Sequence, residues 1–187
     1  DELTGHRNDH EDDLLVLFRR LLPETLKAVT VLADRGFGDV KLYRHLRQLG
    51  FHYVIRFRGC IAVQDAAGKV ARGTEWVPPN GQARCLKNAK LTGARYQVPS
   101  VVAVKKRRMK DEWLLASSLP LSGDQLVALY GRRFTIEENF RDSKSTPLGM
   151  GLEVSQSRSA PRLHALLLIG TLAAFLLWHI GQLAEAE

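Results

Sequence analysis

The sequence predicts a mixed α/β fold, and three observations support this class. An apolar run at residues 28–33 ends at Asp34, as a buried strand would. An amphipathic segment and then an alternating apolar segment, residues 51–57, follow this run. Further segments with helical periodicity lie near both ends of the chain. Strand, helix and strand in succession are typical of a sheet that is covered by helices.

The first half of the chain supplies two helices and two strands. An opening helix is predicted from apolar residues that recur with helical period up to Pro23. A second helix begins after Asp39, and Gly50 is a suitable C-terminal stop. Residues 51–57 alternate between apolar and polar side chains, which predicts the last strand of the main sheet.

Residues 59–112 change character. Short runs with β propensity, at residues 60–63, 96–98 and 100–105, are separated by turn signals rich in glycine and proline. We expect a small antiparallel β-rich insertion here. It divides the core, so the predicted domains are residues 1–58, residues 59–112 and residues 113–187.

The last part of the chain returns to the core. Residues 113–117 predict a strand, and Ser122 is a plausible N-cap for the helix that follows. Residues 165–178 carry no charge. A membrane span needs roughly 20 apolar residues, so we expect a buried core helix and no membrane partner, although a membrane helix remains the alternative.

Composition indicates a polyanionic partner. The 27 Lys and Arg outnumber the 20 Asp and Glu and give a net charge of +7. Cys60 and Cys85 lack the spacing of a metal site, so we interpret them as reduced thiols of a cytoplasmic protein. No export signal opens the chain, and its first residue is Asp1, so we expect part of a longer reading frame.

Four side chains that carry a phenol, a guanidinium, a carboxylate and an ammonium lie at helical spacing within residues 130–144. Tyr130 is followed by Arg133, Glu137 and Lys144, at offsets of three, seven and fourteen residues. On one continuous helix these side chains share an arc of about 60°. The face is either a solvated ion-pair ladder or a site in which a carboxylate holds a metal and the cations hold phosphates. Glu138 is the alternative carboxylate if the helix is rotated.

This pattern, Y-x2-R-x3-E-x6-K, resembles the signature of bacterial insertion-sequence transposases of the insertion-sequence-four type. Residues 32–37, which include Asp34 and Gly36, are similar to the D-x-G-F motif of that family. The resemblance covers most of the chain but only the later part of the family's catalytic domain. It implies an incomplete RNase H-like core with a β-rich insertion between the second catalytic aspartate and the glutamate.

The resemblance also implies the chemistry. Asp34 and Glu137 would be the second and third catalytic carboxylates and would bind Mg²⁺ or Mn²⁺. Tyr130, Arg133 and Lys144 would hold phosphates of double-stranded DNA at transposon ends, in a complex that allows a homodimer. Asp34 alternatively caps the next helix.

The first catalytic aspartate of the family has no match here. We therefore expect a DNA transposase fragment that is inactive alone. The alternatives are a non-catalytic DNA-binding remnant of a degenerate element, and a hydrolase of other phosphodiesters. The densest basic cluster is either a solvated hairpin tip or a contact to the DNA backbone. It comprises Lys105, Lys106, Arg107, Arg108 and Lys110.

Overall fold

The structure, a computed structural model, describes residues 7–26, 28–146, 149, 151, 154–157 and 159–185. It confirms the mixed α/β class. The chain divides by contacts into two compact units, Asp1–Arg133 and Phe134–Glu187. The strands are β1 (Thr30–Ala33), β2 (His52–Arg56), β3 (Ala62–Gln64), β4 (Val70–Arg72), β5 (Arg84–Leu91), β6 (Tyr96–Val104) and β7 (Trp113–Ser117). The α-helices of the described residues are α1 (Arg7–Leu21), α2 (Val40–Gln48), α3 (Gly123–Gly131), α4 (Phe134–Lys144) and α5 (Ala160–Glu185).

The strands form one seven-stranded sheet in the order β1-β2-β7-β6-β5-β3-β4. β1 and β2 run parallel, and the other neighbours pair antiparallel. The strands between residues 59 and 112 therefore extend the same sheet. The prediction that residues 51–57 form its last strand is wrong, because β7 pairs with β2 and carries the sheet onward.

The direction of the strands decides which loops lie together. β1 and β2 pair in parallel up to Ala33 and Ile55, so Asp34 and Arg56 follow at the same end of the sheet. We call this the carboxyl end of the sheet. β7 runs the other way, with Arg56 opposite Leu115, so it begins at this end. The loop of the β6–β7 hairpin, residues 105–112, consequently also lies at the carboxyl end.

Alternation along the strands gives the first unit a core on each face of the sheet. Tyr53 and Ile55 of β2 point to one face and pack with Leu46 of α2. Val54 points to the other face and packs with Leu126 of α3. Helices therefore cover both faces of the sheet in this unit.

Local capping signals position these helices. The Asp39 carboxylate accepts a hydrogen bond of 2.9 Å from the Leu42 N–H at the start of α2. Gly50 ends the helix with a positive φ of 74°, and the N–H groups of Gly50 and Phe51 return to the carbonyls of Arg47 and Leu46. Ser122 caps α3 by accepting a bond from the Gln125 N–H. The predicted stop at Gly50 and the predicted N-cap Ser122 are confirmed.

The single helix expected across residues 130–144 is wrong, because the structure has two. α3 ends at Gly131, Arg132 and Arg133 form a turn, and α4 begins at Phe134. Glycine disfavours a helix interior by about 1 kcal/mol relative to alanine, which is consistent with a break here. Tyr130 and Arg133 therefore do not share one continuous helical face with Glu137.

The C-terminal helix α5 differs from the buried core helix that the sequence predicts. None of its described residues is buried, and most of its large apolar side chains are exposed. It is the one described helix long and apolar enough to cross a membrane, which by itself is weak evidence for such a span. Apolar side chains surround the helix on all sides, so a single flat neighbour would not cover it.

Candidate active site and nucleic-acid interface

Asp34 lies directly after β1, half-buried at the carboxyl end of the sheet. One of its carboxylate oxygens accepts a hydrogen bond of 2.8 Å from the Gly36 N–H and so caps the short 3-10 helix Arg35–Phe37. The capping role considered from the sequence is therefore present. Within the described part of the chain the second oxygen of Asp34 makes no hydrogen bond, so one side chain can cap the turn and still bind a cation.

Gly36 and Gly38, which follow Asp34, occupy positions where a side chain would meet neighbouring atoms too closely. A Cβ on Gly36 would lie 3.1 Å from Oδ1 of Asp34, inside the capping turn. A Cβ on Gly38 would lie 2.8 Å from the carbonyl oxygen of Arg56 and 3.0 Å from Cα of Phe57. The turn after β1 therefore packs backbone against backbone on the end of β2. This packing fixes Asp34 relative to Arg56.

Tyr130 lies in the core near Asp34 and Arg56. Only 1% of its surface is exposed, and the ring of Trp113 meets it edge-on with centroids 5.0 Å apart. The Arg133 guanidinium lies 5.9 Å from the Tyr130 ring centroid. Burial raises the pKa of the Tyr130 hydroxyl, the charges of Arg133 and Arg56 lower it, and that of Asp34 raises it further. Asp34, Tyr130 and Arg133 thus share one electrostatic neighbourhood.

Arg56 is a member of this group that the sequence did not single out. Its guanidinium donates a hydrogen bond of 2.8 Å to the carbonyl oxygen of Glu112 and lies 3.7 Å from a carboxylate oxygen of Asp111. Only 18% of its side chain is exposed, compared with 48% for Asp111. The sequence predicts the strand that Arg56 ends but not its parallel pairing with β1, so no signal in the sequence alone placed Arg56 beside Asp34.

A pocket of about 380 Å³ opens at the carboxyl end of the sheet. Three arginines line it, namely Arg35, Arg56 and Arg58, together with Asp111 and Glu112. Planar guanidinium groups bind phosphate through paired hydrogen bonds. The three guanidinium groups outnumber the two carboxylates of this pocket, and this excess of positive charge suits a phosphodiester.

The basic cluster occupies the tip of the β6–β7 hairpin. Lys105, Lys106, Arg107, Arg108 and Lys110 are all exposed. Met109 folds the tip, because its N–H donates to the carbonyl of Lys106 and its side chain packs on the core. In the described residues the five cations form no ion pair. They lie at the same end of the sheet as Asp34, a proximity that the sequence alone did not predict.

Glu137 and Lys144 belong to the second unit. Both are exposed on α4, Glu137 in its first turn and Lys144 in its last. Seven residues separate them, so they lie within about 20° of each other around the helix. This part of the predicted face is confirmed. Glu138 is also exposed beside them.

The donor types at Asp34 and Glu137 suit a divalent cation. No group of three or more His, Cys, Asp or Glu side chains gathers into a metal cluster in the part of the chain that the structure describes. Mg²⁺ commonly binds one or two carboxylates and completes its shell with waters and substrate phosphates. The carboxylate oxygens of Asp34 and Glu137 fit that cation in donor type.

Aromatic side chains can stack on nucleic-acid bases, and Trp76 and Trp113 differ in how accessible they are for such a contact. Trp76 is 5% exposed, and the Lys69 ammonium lies 5.3 Å from its ring centroid, so it is a core residue. Trp113 is half-buried beside Tyr130.

Comparison with protein families identifies the chain. The model of the family described as "Transposase DDE domain" matches residues 2–176. The chain belongs to the transposase DDE domain family. A comparison with curated proteins gives no match.

Domains of this family act on DNA and generally depend on a divalent metal. The sheet of this DDE domain brings an acidic residue, three arginines and a basic hairpin to one end. That arrangement has the chemical groups that metal-dependent reactions on a polyanion require.

Proposed function

We propose that the chain supplies two of the catalytic carboxylates of a DDE transposase of the insertion-sequence-four type. Asp34 would be the second carboxylate and Glu137 the third, in an RNase H-like core. The substrate would be double-stranded DNA at transposon ends. The observation that carries the proposal is the position of Asp34 beside Arg56, Tyr130 and the basic hairpin at one end of the sheet.

The roles of the protein groups follow from their chemistry. Asp34 and Glu137 would hold Mg²⁺ or Mn²⁺, which when bound supplies an activated oxygen nucleophile and stabilises the leaving oxygen. Arg133 and Arg56 would offset the charge that develops on the scissile phosphate. Lys144 would orient the DNA strand through a backbone phosphate, and the hairpin cations would bind the flanking backbone without reading its sequence.

Metal binding by Asp34 can be tested without catalysis. Mn²⁺ broadens the NMR signals of nearby nuclei, so the amide signals of residues 34–36 should broaden at low Mn²⁺ concentration. Asp34→Asn should abolish that broadening, and Asp124→Asn, an exposed carboxylate in the first turn of α3, should leave it intact. Equal broadening in wild type and Asp34→Asn would overturn the assignment of Asp34 as a metal ligand.

We infer that residues 1–187 alone do not cleave DNA, because no residue matches the family's first aspartate. Nicking or joining of transposon-end DNA by the purified chain with Mg²⁺ or Mn²⁺, abolished by Glu137→Ala, would contradict this.

The second candidate function is a non-catalytic DNA-binding remnant. The observation that favours it is the exposed basic hairpin, which needs no carboxylate to bind DNA. Here DNA binding would be unchanged in Asp34→Ala with Mg²⁺ present. The catalytic proposal instead expects Mg²⁺ to strengthen DNA binding by the wild type only. Family membership favours the cytoplasm as the location, and a homodimer on DNA remains a proposal.

A further inference from the structure

A second polar pocket lies at the amino end of the sheet, where β2 begins and β7 ends. Its volume is about 550 Å³, within the range of sites for small molecules. His52 and Arg56 are four residues apart on β2, so this pocket lies roughly 13 Å from the arginine pocket. One phosphate could not contact both pockets.

The lining of this pocket has the chemistry of an anion site. The side chains that contribute polar groups are Arg47, His52, Asn88, Gln97 and Ser118. They offer a guanidinium, an imidazole, two carboxamides and a hydroxyl, all able to donate hydrogen bonds. No carboxylate lines the pocket among the residues that the structure describes.

The backbone of β5 is interrupted where it meets the pocket. Lys87 pairs with Ser100 and Ala89 pairs with Val98, but Asn88 between them is left out of the register. Asn88 has a φ of 51°, which is uncommon outside glycine. Asparagine adopts this conformation more readily than most other residues, and such positions are concentrated at functional sites. Strands use interruptions of this kind to re-aim a side chain.

The Ser118 hydroxyl orients the His52 ring. Its Nδ1 lies 3.3 Å from the hydroxyl oxygen of Ser118, and that oxygen accepts the Tyr53 N–H at 2.9 Å. When the Ser118 hydroxyl donates to Nδ1, the proton of the neutral ring lies on Nε2. Nε2 is then available as a hydrogen-bond donor.

The C-terminal carbonyl groups of α2 do not repel an anion in this pocket. The last carbonyls of a helix carry partial negative charge. Here the carbonyls of Arg47 and Leu46 accept hydrogen bonds of 3.1 and 2.9 Å from the N–H groups of Gly50 and Phe51. The partial charges nearest the pocket are therefore satisfied within the helix cap.

We propose that this pocket binds a phosphate-type oxyanion, with Arg47 as its charged ligand and Asn88, Gln97 and Nε2 of His52 as neutral donors. The anion is either a backbone phosphate of a DNA segment distinct from the one at Asp34, or a free phosphate compound. The site requires neither Asp34 nor a metal, so it can be tested apart from the proposed function.

The test is an NMR titration of the purified chain with inorganic phosphate at constant ionic strength. The side-chain amide signals of Asn88 and Gln97 should shift and saturate, whereas equivalent chloride should not shift them. Arg47→Ala should weaken binding at least about tenfold, because it removes the charge-assisted hydrogen bond to the anion. Arg44→Ala, on the same helix but over the Tyr96 ring, is the matched control and should bind as wild type.

Asn88→Gly gives an independent check. Glycine adopts a positive φ readily, so this variant should fold with equal or greater stability and still bind phosphate more weakly. The proposal is overturned if phosphate leaves both amide signals unchanged, or if Arg47→Ala and Asn88→Gly both bind as wild type. A second titration, with duplex DNA, identifies the source of the anion. If the ligand is a backbone phosphate, DNA should shift the same amide signals and free phosphate should reverse that shift. If DNA leaves the signals unchanged, the ligand is a free phosphate compound. Asp34→Asn should alter neither titration.

Discussion

Arg56 donates a hydrogen bond of 2.8 Å to the carbonyl oxygen of Glu112, and thereby joins the end of β2 to the base of the basic hairpin. The same guanidinium lies 3.7 Å from the Asp111 carboxylate. The hairpin is therefore fastened to the strand that neighbours Asp34. A change at Arg56 should affect both the hairpin and the environment of Asp34.

Arg56→Ala should lower the free energy of unfolding by about 1 to 2 kcal/mol, because it removes a charge-assisted hydrogen bond from a half-buried carbonyl. Urea unfolding followed by circular dichroism measures this change. Arg58→Ala is the matched control, since Arg58 is an exposed arginine of the same pocket, and should change stability by less than about 0.5 kcal/mol. Equal effects of the two variants would show that the hydrogen bond to Glu112 contributes nothing.

Gly38→Ala should destabilise the first unit by about 1 to 3 kcal/mol, because the new methyl group would lie 2.8 Å from the Arg56 carbonyl oxygen. The measurement is the urea midpoint at constant m-value. Gly93→Ala has nothing within 4 Å of its added Cβ, so it should leave the midpoint nearly unchanged. A neutral Gly38→Ala would mean that the turn after β1 does not pack on β2 as described.

The stability of the first unit should fall at alkaline pH. Burial raises the pKa of the Tyr43 hydroxyl, and the charge of Asp39 raises it further. Burial raises that of Tyr53 as well. The folded state thus favours the neutral phenols. Their contribution is complete below the unfolded pKa of about 10 and is lost as pH rises through the folded value. Urea unfolding between pH 8 and 12 should show a constant free energy that declines above about pH 10.

Tyr43→Phe should weaken that alkaline decline without destabilising the protein at pH 7. The Tyr43 hydroxyl is buried and has no hydrogen-bond partner among the described residues, so its removal sacrifices no bond. A decrease of more than about 1 kcal/mol at pH 7 would reveal a partner, such as a buried water.

Neutralising the basic hairpin should reduce the salt dependence of DNA binding. The slope of log K against log salt should become shallower by about one unit for each DNA phosphate that the protein no longer neutralises. Lys105→Ala with Arg107→Ala should therefore reduce it by about two units in a fluorescence anisotropy titration. The double variant Arg19→Ala and Arg20→Ala, on the exposed end of α1, is the charge-matched control and should keep the wild-type slope.

Local signals explain what the sequence predicted well. Residues 113–117 form β7 as predicted, and Ser122 caps α3, because short apolar runs and caps act within a few residues. Asp34 was singled out because it follows an apolar run and matches a family motif; that run forms β1, whose residues are half-buried and not fully buried as predicted. Strand β5 was missed, since its period-two alternation is interrupted at Asn88.

The break after Gly131 was missed because one glycine within a strong helical pattern was its only local signal.

Long-range pairing explains why the contacts of Arg56 were missed. The hydrogen bond of Arg56 to Glu112 depends on the pairing of β2 with β7, across residues far apart in sequence. No local pattern reveals that pairing, so the carboxyl end of the sheet could not be assembled from sequence alone.

The terminal position of β1 has a consequence for assembly. β1 pairs with β2 on one side only, so in the described part of the chain its outer backbone groups can accept another strand. A strand that added in parallel would end beside Asp34, because parallel neighbours finish at the same end of a sheet. Its final residue would then share the cation site, and an acidic residue there would supply a further carboxylate. A strand that added antiparallel would begin there instead and would block the site.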